Sequence, residues 1–442
     1  MRTLSKLLAV LLLLAMPLAA EELPVVTLAE ALSAAEENNI SLETARVSLE
    51  QVIRNQNNVM STFMPTVTLG ADIGPTWSFP TEKTSDFSYD GLDLSATATA
   101  SFSFTGSMLR DSQTRTLLKE EAGLSYLSSY DSIVSSVTTA YWQLAVLESS
   151  VDLAQASLDD AYSSYLSVYD SYENGQTDEL TMYQTELAWN EAEYTLQTAK
   201  DSLTTAMQAF RNMTGLEGDF RIGPVDDGFT LSLPTPEELF AEYAAGTVEL
   251  RAARNTLAQA DLAVTTAKLS AYVPTLTTSL KYTYTGGWDD KWDYGSNSHK
   301  LTGTVGVSVP VSSMLPGGSG SVAVKNAKDT LAIAALSLED TEKDLLETIR
   351  SGVTAINQAQ HNRTITERTR KNAKRSYELS QEAFEAGLMT ADDLSSARTS
   401  YLSAESSCLS LAATHLTACY DLAITLNLPF EELKTKYSTE TI

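Results

Sequence analysis

Residues 65–68 read Pro-Thr-Val-Thr, and residues 274–277 read Pro-Thr-Leu-Thr. Each quartet follows a segment whose apolar residues lie three and four positions apart. Each precedes a run in which apolar and polar residues alternate. The first spacing is that of a packed helix, and the alternation is that of a strand with one apolar face. The chain therefore passes from helix to strand at two matching places, about 210 residues apart.

Both halves of the chain repeat one order of elements: a helix, a hairpin of two strands, a very long helix, a turn with glycine and a returning helix. Neither long tract contains proline, which would interrupt a helix. The predicted helices are 42–63, 109–172 and 180–213 in the first half, and 250–271, 322–384 and 394–426 in the second. The predicted parts are a signal peptide (1–20), a first repeat (21–216, with its β-hairpin at 66–105), a linker (217–247, with a short helix at 236–243), a second repeat (248–428, with its β-hairpin at 275–311) and a C-terminal tail (429–442).

The first twenty residues have the pattern of a secretory signal. Arg2 and Lys6 precede the apolar run Leu7–Ala15, and small residues follow it. This run of about nine residues is too short to cross a bilayer as a helix, which takes ~20. We therefore expect an exported protein.

The four predicted strands are long, and each has one apolar face. Globular strands average ~5–6 residues, whereas tilted membrane strands need ~9–11. The half-buried sheet of a soluble protein shows the same alternation, so that interpretation stays open, but four such strands on an exported chain favour a membrane barrel. A barrel needs about eight strands, so the chain is expected to assemble with copies of itself. Two copies would supply eight strands and three would supply twelve.

Composition excludes several classes of function. The formal net charge of −27 argues against nucleic-acid binding. The three histidines lie far apart in sequence, and no phosphate loop, metal-ligand spacing or nucleophile elbow occurs. We therefore expect no enzyme, no cofactor and no metal site. Cys408 and Cys419 lie about three turns apart in one predicted helix, too far for a disulfide between them.

The doubled order of elements resembles the TolC-like outer-membrane efflux family, and so does the stretch Ala383–Leu394, which is similar to the tip of that family's helical hairpin. The resemblance covers about residues 27 to 428. It implies a mostly α protein with membrane β-strands: a homotrimer whose α-helical tunnel is topped by a 12-stranded β-barrel, four strands per protomer. It also implies an outer-membrane location in contact with lipid, a long periplasmic portion, a periplasmic membrane-fusion adaptor and, through it, an inner-membrane pump.

The two helical turns are the predicted partner site. Glycine beside small and apolar residues lets another backbone approach closely, although such glycines also simply cap helices. The first tip is about two residues shorter than the second, so the resemblance carries over to it less directly. The predicted adaptor contacts are Gly175, Thr177, Gly387, Leu388 and Thr390.

Charged residues near the tips are candidates for a gate. A ring of carboxylates repeated in every copy would attract cations and repel anions, whereas acids on the outer surface would only be solvated. A basic cluster lies nearby in the second long helix, and its members either pair with acids of a neighbouring helix or face water. The candidate gate acids are Asp170, Glu173, Glu378, Glu382 and Glu385, and the candidate basic residues are Arg368, Arg370, Lys371, Lys374 and Arg375.

Two functions remain in competition on the sequence. The first is a passive exit duct for efflux or type I secretion, gated at its periplasmic tip. The second is a structural or adhesive coiled-coil protein of the envelope, which the helical spacing suits but the four long amphipathic strands do not.

Overall fold

The structure is a computed structural model that describes residues 24–78, 88–223, 225, 228–288, 297–386 and 388–440. The predicted signal peptide, residues 1–20, lies outside this part of the chain. The described residues form two compact units. The first contains the residues up to Thr44, Ser129–Tyr243 and the residues from Glu347 onward, and the second contains Ala45–Ser128 and Ala244–Leu346. Each unit therefore draws on both repeats.

The secondary structure follows the predicted order in both repeats. Within the described residues the α-helices are α1 (Leu28–Asn38), α2 (Ile40–Asn57), α3 (Met60–Phe63), α4 (Asp111–Glu173), α5 (Glu179–Thr214), α6 (Pro236–Tyr243), α7 (Val248–Tyr272), α8 (Val311–Met314), α9 (Ser319–Glu385), α10 (Ala391–Thr425) and α11 (Phe430–Tyr437). The strands are β1 (Val25–Val26), β2 (Thr66–Ser78), β3 (Ser88–Phe104), β4 (Arg221–Ile222), β5 (Phe229–Leu231), β6 (Thr275–Trp288), β7 (Ser298–Ser308) and β8 (Ser438–Glu440).

The two long helices, α4 and α9, extend over 63 and 67 residues. They confirm the uninterrupted tracts that the sequence predicts, because no proline removes a backbone hydrogen bond within either. The returning helices α5 and α10 extend over 36 and 35 residues. Each repeat thus has one long helix joined to one returning helix by a short turn.

The second unit contains one antiparallel sheet of four strands in the order β2-β3-β6-β7. Its register places like residues side by side. Leu69 pairs with Ala98, which pairs with Tyr282, which pairs with Leu301. The neighbouring row reads Thr68, Thr99, Lys281 and Thr302. One face of the sheet is therefore apolar and the other polar across all four strands.

The last predicted strand is shorter than expected. The sequence suggested that it reaches Val311, but β7 ends at Ser308 and α8 begins at Val311. Pro310 has no amide hydrogen to contribute to a strand ladder, which explains the early end.

The helix predicted over residues 42–63 is interrupted: α2 ends at Asn57 and α3 begins at Met60. Arg115 of the second unit stabilises this break. Its Nη1 donates to the carbonyl oxygens of Asn55 at 3.1 Å and Gln56 at 3.4 Å. The last carbonyl oxygens of a helix have no hydrogen-bond partner inside the helix, and the guanidinium of Arg115 supplies the missing donor.

Tyr141 lies in the core of the first unit and is 2% exposed. Its hydroxyl donates to the carbonyl oxygen of Val26 at 2.9 Å and accepts from the amide of Gly223 at 3.1 Å. These bonds join α4 to the parallel pair β1 and β4. Burial raises the pKa of the Tyr141 hydroxyl above its ordinary value of 10.

The linker and the tail contribute further elements to the first unit. Helix α6 has the bounds that the sequence predicts. Strand β5 of the linker pairs antiparallel with β8 of the tail. Phe430 of α11 stacks on Tyr420 of α10, with ring centroids 3.9 Å apart. The predicted tail is thus folded against the first unit.

Among the described helices, no single one is long and apolar enough to cross a membrane, although α10 and α11, bent by 105°, satisfy the length and composition criteria as a pair.

Candidate functional site

The turn after α4 is built around Gly175, which has a φ of +71°. The amide of Gln176 donates to the carbonyl of Ser171 at 2.8 Å, and that of Gly175 donates to Tyr172 at 2.9 Å. This pair of bonds is the Schellman arrangement, which closes a helix and requires a left-handed residue. Gly175 is therefore a helix cap. The space where a side chain would start is also open, with no atom within 4 Å of an added Cβ.

The second turn repeats the first of these two hydrogen bonds. The amide of Leu388 donates to the carbonyl of Ala383 at 2.9 Å, the position that matches Gln176 and Ser171 in the first turn. Gly387, a predicted adaptor contact, lies outside the described residues. A residue of the second turn therefore corresponds to the residue of the first turn whose number is lower by 212.

The returning helices begin at equivalent residues. Asp178 precedes α5, and its carboxylate accepts from the amide of Thr181 at 2.7 Å. Thr390 precedes α10, and its hydroxyl accepts from the amide of Asp393 at 3.2 Å. Each cap follows the glycine position by three residues, so the two turns have the same length. The expectation that the first turn is two residues shorter is wrong: the first leucine follows the cap by two residues in α5 (Leu180) and by four in α10 (Leu394), whereas the caps themselves lie at equivalent positions.

The predicted contact residues at the tips differ in exposure. Leu388 is 83% exposed, and Leu180 of the first tip is 66% exposed. Thr177 is half-buried and Thr390 is exposed. Thr390 also lines a groove of about 440 Å³ between α4 and α10, which Ser167 and Val168 line from α4. The structure thus brings the second tip against the long helix of the first repeat.

The candidate gate acids lie mostly at the surface of the isolated chain. Asp170, Glu173, Glu382 and Glu385 are exposed, and Glu378 is half-buried. Glu173 accepts a hydrogen bond from Tyr169, and this bond raises the pKa of the tyrosine. Such exposed acids are available to line a bore or to contact a partner.

Three members of the basic cluster pair with acids of their own helix. Arg370 and Lys371 approach Glu367 at 2.9 Å and 3.6 Å. The hydrogen bond from Arg370 is the main reason why the pKa of Glu367 falls to about 2. Arg375 pairs with Glu378 at 3.2 Å. Arg368 and Lys374 are exposed, and the described part of the chain gives neither an ion pair.

Two contacts between helices were not found from the sequence. Arg398 of α10 donates to Asp160 of α4 at 2.9 Å, and the second carboxylate oxygen of Asp160 is buried without a hydrogen-bond partner. Trp189 of α5 stacks on Tyr165 of α4 with centroids 5.3 Å apart. The available signal for the contact of Trp189 with Tyr165 is an aromatic residue in each helix, ten residues before Gly175 and fourteen residues after it. No feature of the sequence near Asp160 or Arg398 indicates the contact between them.

Metal binding finds no support in the described residues, where no group of three or more His, Cys, Asp or Glu side chains could hold an ion. Neither Cys408 nor Cys419 forms a disulfide within the described residues. The arrangement at the tips consists of capped turns, exposed apolar residues and acids, which suits contact with partners and ions.

Comparison with known protein families gives a match over most of the chain. The family described as outer membrane efflux protein matches residues 31–216 and 241–427. The two matched segments each contain one copy of the repeat. Among curated protein sequences, none matches the chain.

Solved structures share the fold at low sequence identity. The CmeC outer membrane channel of Campylobacter jejuni is 16% identical, with a TM-score of 0.71 over 92% of this chain and 88% of that one. The open-state MtrE outer membrane channel of Neisseria gonorrhoeae is 18% identical, with a TM-score of 0.70 over 91% and 89%. VceC of Vibrio cholerae is 18% identical, with a TM-score of 0.66 over 91% and 96%. The chain belongs to the outer membrane efflux protein family, and it is an outer-membrane efflux channel and not an enzyme.

Proposed function

We propose that the chain acts as a homotrimeric exit duct whose sheets join edge to edge into a twelve-stranded barrel, and whose tips dock on a periplasmic membrane-fusion adaptor that serves an inner-membrane pump. Members of this family in general form homotrimers and work with adaptor and pump partners.

The observation that carries the proposal is the pair of open sheet edges. In the described chain, β2 and β7 are the outer strands of the sheet and each pairs on one side only. Unpaired backbone groups are costly in lipid, so the edge of one copy must meet the opposite edge of the next. Three copies of four strands then close a ring of twelve.

The two faces of the sheet support the same arrangement. Leu69, Val305 and Leu301 of the apolar face are 81%, 78% and 68% exposed in the single chain. Exposed apolar rows of this length are stable against lipid, while the row with Thr68, Lys281 and Thr302 would face a water-filled interior. The alternative function, a structural coiled-coil protein of the envelope, does not require a sheet with a long exposed apolar face.

The tips supply the docking surface. Leu388 and Leu180 project at the two turns with most of their surface exposed. A partner helix gains most by covering such residues, because apolar area removed from water contributes about 25 cal/mol per Å². The exposed acids Asp170, Glu173, Glu382 and Glu385 would gate the bore by selecting cations.

The test places a photo-cross-linking amino acid at Leu388 in cells that contain the cognate adaptor and pump. We expect a covalent product with the adaptor, together with a native mass of three chains for the protein extracted from outer membranes. The matched control places the same amino acid at Ile333, an exposed apolar residue of α9 at 66% exposure, and is expected to capture no adaptor. A folded monomer, or capture of the adaptor only from position 333, would refute the proposal.

A further inference from the structure

Two lysines lie close together on the polar face of the sheet. Lys281 of β6 pairs with Thr302 of β7, and Thr283, two residues further along β6, pairs with Lys300. The two lysines are therefore diagonal neighbours on adjacent strands, with Cβ atoms about 7 Å apart, a distance that their long side chains can bridge. Together with the two threonines they form a group of four polar side chains, which we call the lysine block.

No acid in the described part of the sheet lies within reach of the lysine block. Asp93, on the same face, pairs with Gly287, about 20 Å along β6 from Lys281. Asp72 lies in β2, three strands and about 14 Å away from Lys300 in β7. Both lysines are exposed, and neither makes an ion pair or a hydrogen bond with any residue that the structure describes. Their two positive charges therefore repel each other without compensation.

The positive charge of the sheet is confined to this block. Lys281 and Lys300 are the only lysine or arginine residues in the described strands β2, β3, β6 and β7. His299 also belongs to β7, but it lies on the apolar face, where its Nδ1 is 2.7 Å from the hydroxyl of Tyr282. The chain as a whole has a formal net charge of −27. Two like charges at this distance cost stability, and a bound anion would remove this cost.

The groups of the lysine block are those that bind oxyanions. Each ammonium has three hydrogen-bond donors and each hydroxyl has one. Hydrogen bonds from an ammonium to a phosphate or carboxylate oxygen are roughly twice as strong as those between neutral groups. A group with several oxygens can accept from both ammonium groups at once, whereas a halide ion offers them a single atom. The block therefore favours phosphate, sulfate and carboxylate groups.

We propose that the lysine block is a binding site for oxyanions on the wall of the bore, and that it takes the phosphate, sulfate or carboxylate groups of solutes that leave through the barrel. This inference rests on the proposed duct, because the polar face lines a bore only when the sheets of the copies close. Each block lies within one chain, so a ring of three copies carries three sites. Because the acids at the tips select cations, the solutes that suit both places carry a positive group beside the oxyanion.

Titration calorimetry of the purified protein in detergent tests the site directly. We expect inorganic pyrophosphate to bind at one ion per chain, and Lys281→Gln/Lys300→Gln to weaken this binding by roughly tenfold or more. Lys281→Arg/Lys300→Arg keeps both charges and should retain the binding. The matched control is Asp72→Asn, which removes an opposite charge from the same face and should leave the affinity unchanged or raise it. Absence of binding by the wild type, or an equal loss in Asp72→Asn, would overturn the proposal.

Two smaller probes distinguish a site for solutes from a site for the free ion. Inorganic phosphate and phosphocholine present the same kind of group, but only phosphocholine carries it on an organic cation. We expect both probes to compete with pyrophosphate, with similar affinities. Competition by inorganic phosphate alone would overturn the role of the site in the export of solutes.

Planar-bilayer recording tests the position of the site in the bore. Pyrophosphate added on the side of the barrel should reduce the current through the wild type, and roughly ten times more should be needed for Lys281→Gln/Lys300→Gln. Sodium chloride at the same ionic strength is the control for screening and should not reduce the current. Binding in calorimetry without any effect on the current would show that the lysine block does not face the bore, and would overturn the proposal.

Failure of the inference and failure of the proposed duct give different results. A conducting protein with the mass of three chains that binds no pyrophosphate would overturn the site and leave the duct intact. A protein with the mass of one chain that still binds pyrophosphate through the two lysines would overturn the duct, and with it the role of the site in export.

Discussion

Arg398 and Asp160 join the returning helix of the second repeat to the long helix of the first, with 2.9 Å between Nη1 and Oδ1. The side chain of Asp160 is only 16% exposed, and one of its oxygens has no other partner. The pair therefore fixes how the two hairpins lie against each other near the tips.

Replacing Arg398 tests this pair. Arg398→Ala leaves a largely buried carboxylate without its cation, and we expect the free energy of unfolding to fall by about 1–3 kcal/mol. Urea unfolding followed by circular dichroism measures the change. Lys343→Ala is the control, since its pair with Glu339 is 69% and 61% exposed and should contribute less than ~1 kcal/mol. Equal losses in both variants would contradict the structural role of Asp160.

The left-handed backbone at Gly175 predicts opposite effects for two glycines. Gly175→Ala introduces a side chain at a φ of +71° and should destabilise the tip by ~1 kcal/mol. Gly123→Ala lies within α4 in open space and should stabilise the helix by about 0.5–1 kcal/mol. Thermal unfolding of the two variants measures both effects. A neutral or stabilising Gly175→Ala would show that Gly175 does not cap α4 in a left-handed conformation.

Glu367 predicts a dependence of stability on pH. Its folded pKa of about 2 lies below the ordinary value of 4.5, so its carboxylate stabilises the fold above about pH 4.5 and loses this effect as the pH falls toward 2. Glu367→Gln should therefore be less stable than the wild type at pH 7, and the difference should shrink between pH 4.5 and 2. Arg370→Gln should remove most of this dependence and Lys371→Gln little of it, because Arg370 supplies the hydrogen bond. A difference that is constant across this range would refute the assignment.

The two faces of the sheet predict unequal tolerance of charge at adjacent positions. Leu69→Lys puts a charge on the apolar face and should cost ~2–4 kcal/mol near the middle of a bilayer, so the protein should fail to assemble in the outer membrane. Thr68→Lys changes the polar face and should assemble. Fractionation of membranes, with detergent-resistant oligomers as the readout, distinguishes the two. Assembly of both variants would indicate a sheet that does not meet lipid.

Much of the fold could be predicted because its signals are local. The alternation in β2, β3, β6 and β7 identifies strands without knowledge of their partners. The lack of proline in α4 and α9 predicts their length. Contacts between distant residues could not be predicted in this way. The break between Asn57 and Met60 is stabilised by Arg115, and Asp160 meets a partner 238 residues away.

The tips were located from the sequence, but their geometry was not. The sequence allows Gly175 to be a cap or a contact, and its φ of +71° shows that it caps α4. The two turns are equal in length because Asp178 and Thr390 cap their helices at equivalent positions, and the sequence alone does not show which residue is the cap. The roles of the predicted adaptor contacts and gate acids remain predictions, because they depend on partners and copies of the chain.

Single-channel recording of the purified trimer in planar bilayers tests the central claim, that this chain forms an outer-membrane duct. We predict discrete openings that prefer cations, and a changed preference in Glu382→Gln/Glu385→Gln if these acids line the bore. A folded trimer that inserts in the bilayer and yet gives no openings, in the wild type and in this variant at any applied voltage, would contradict the account.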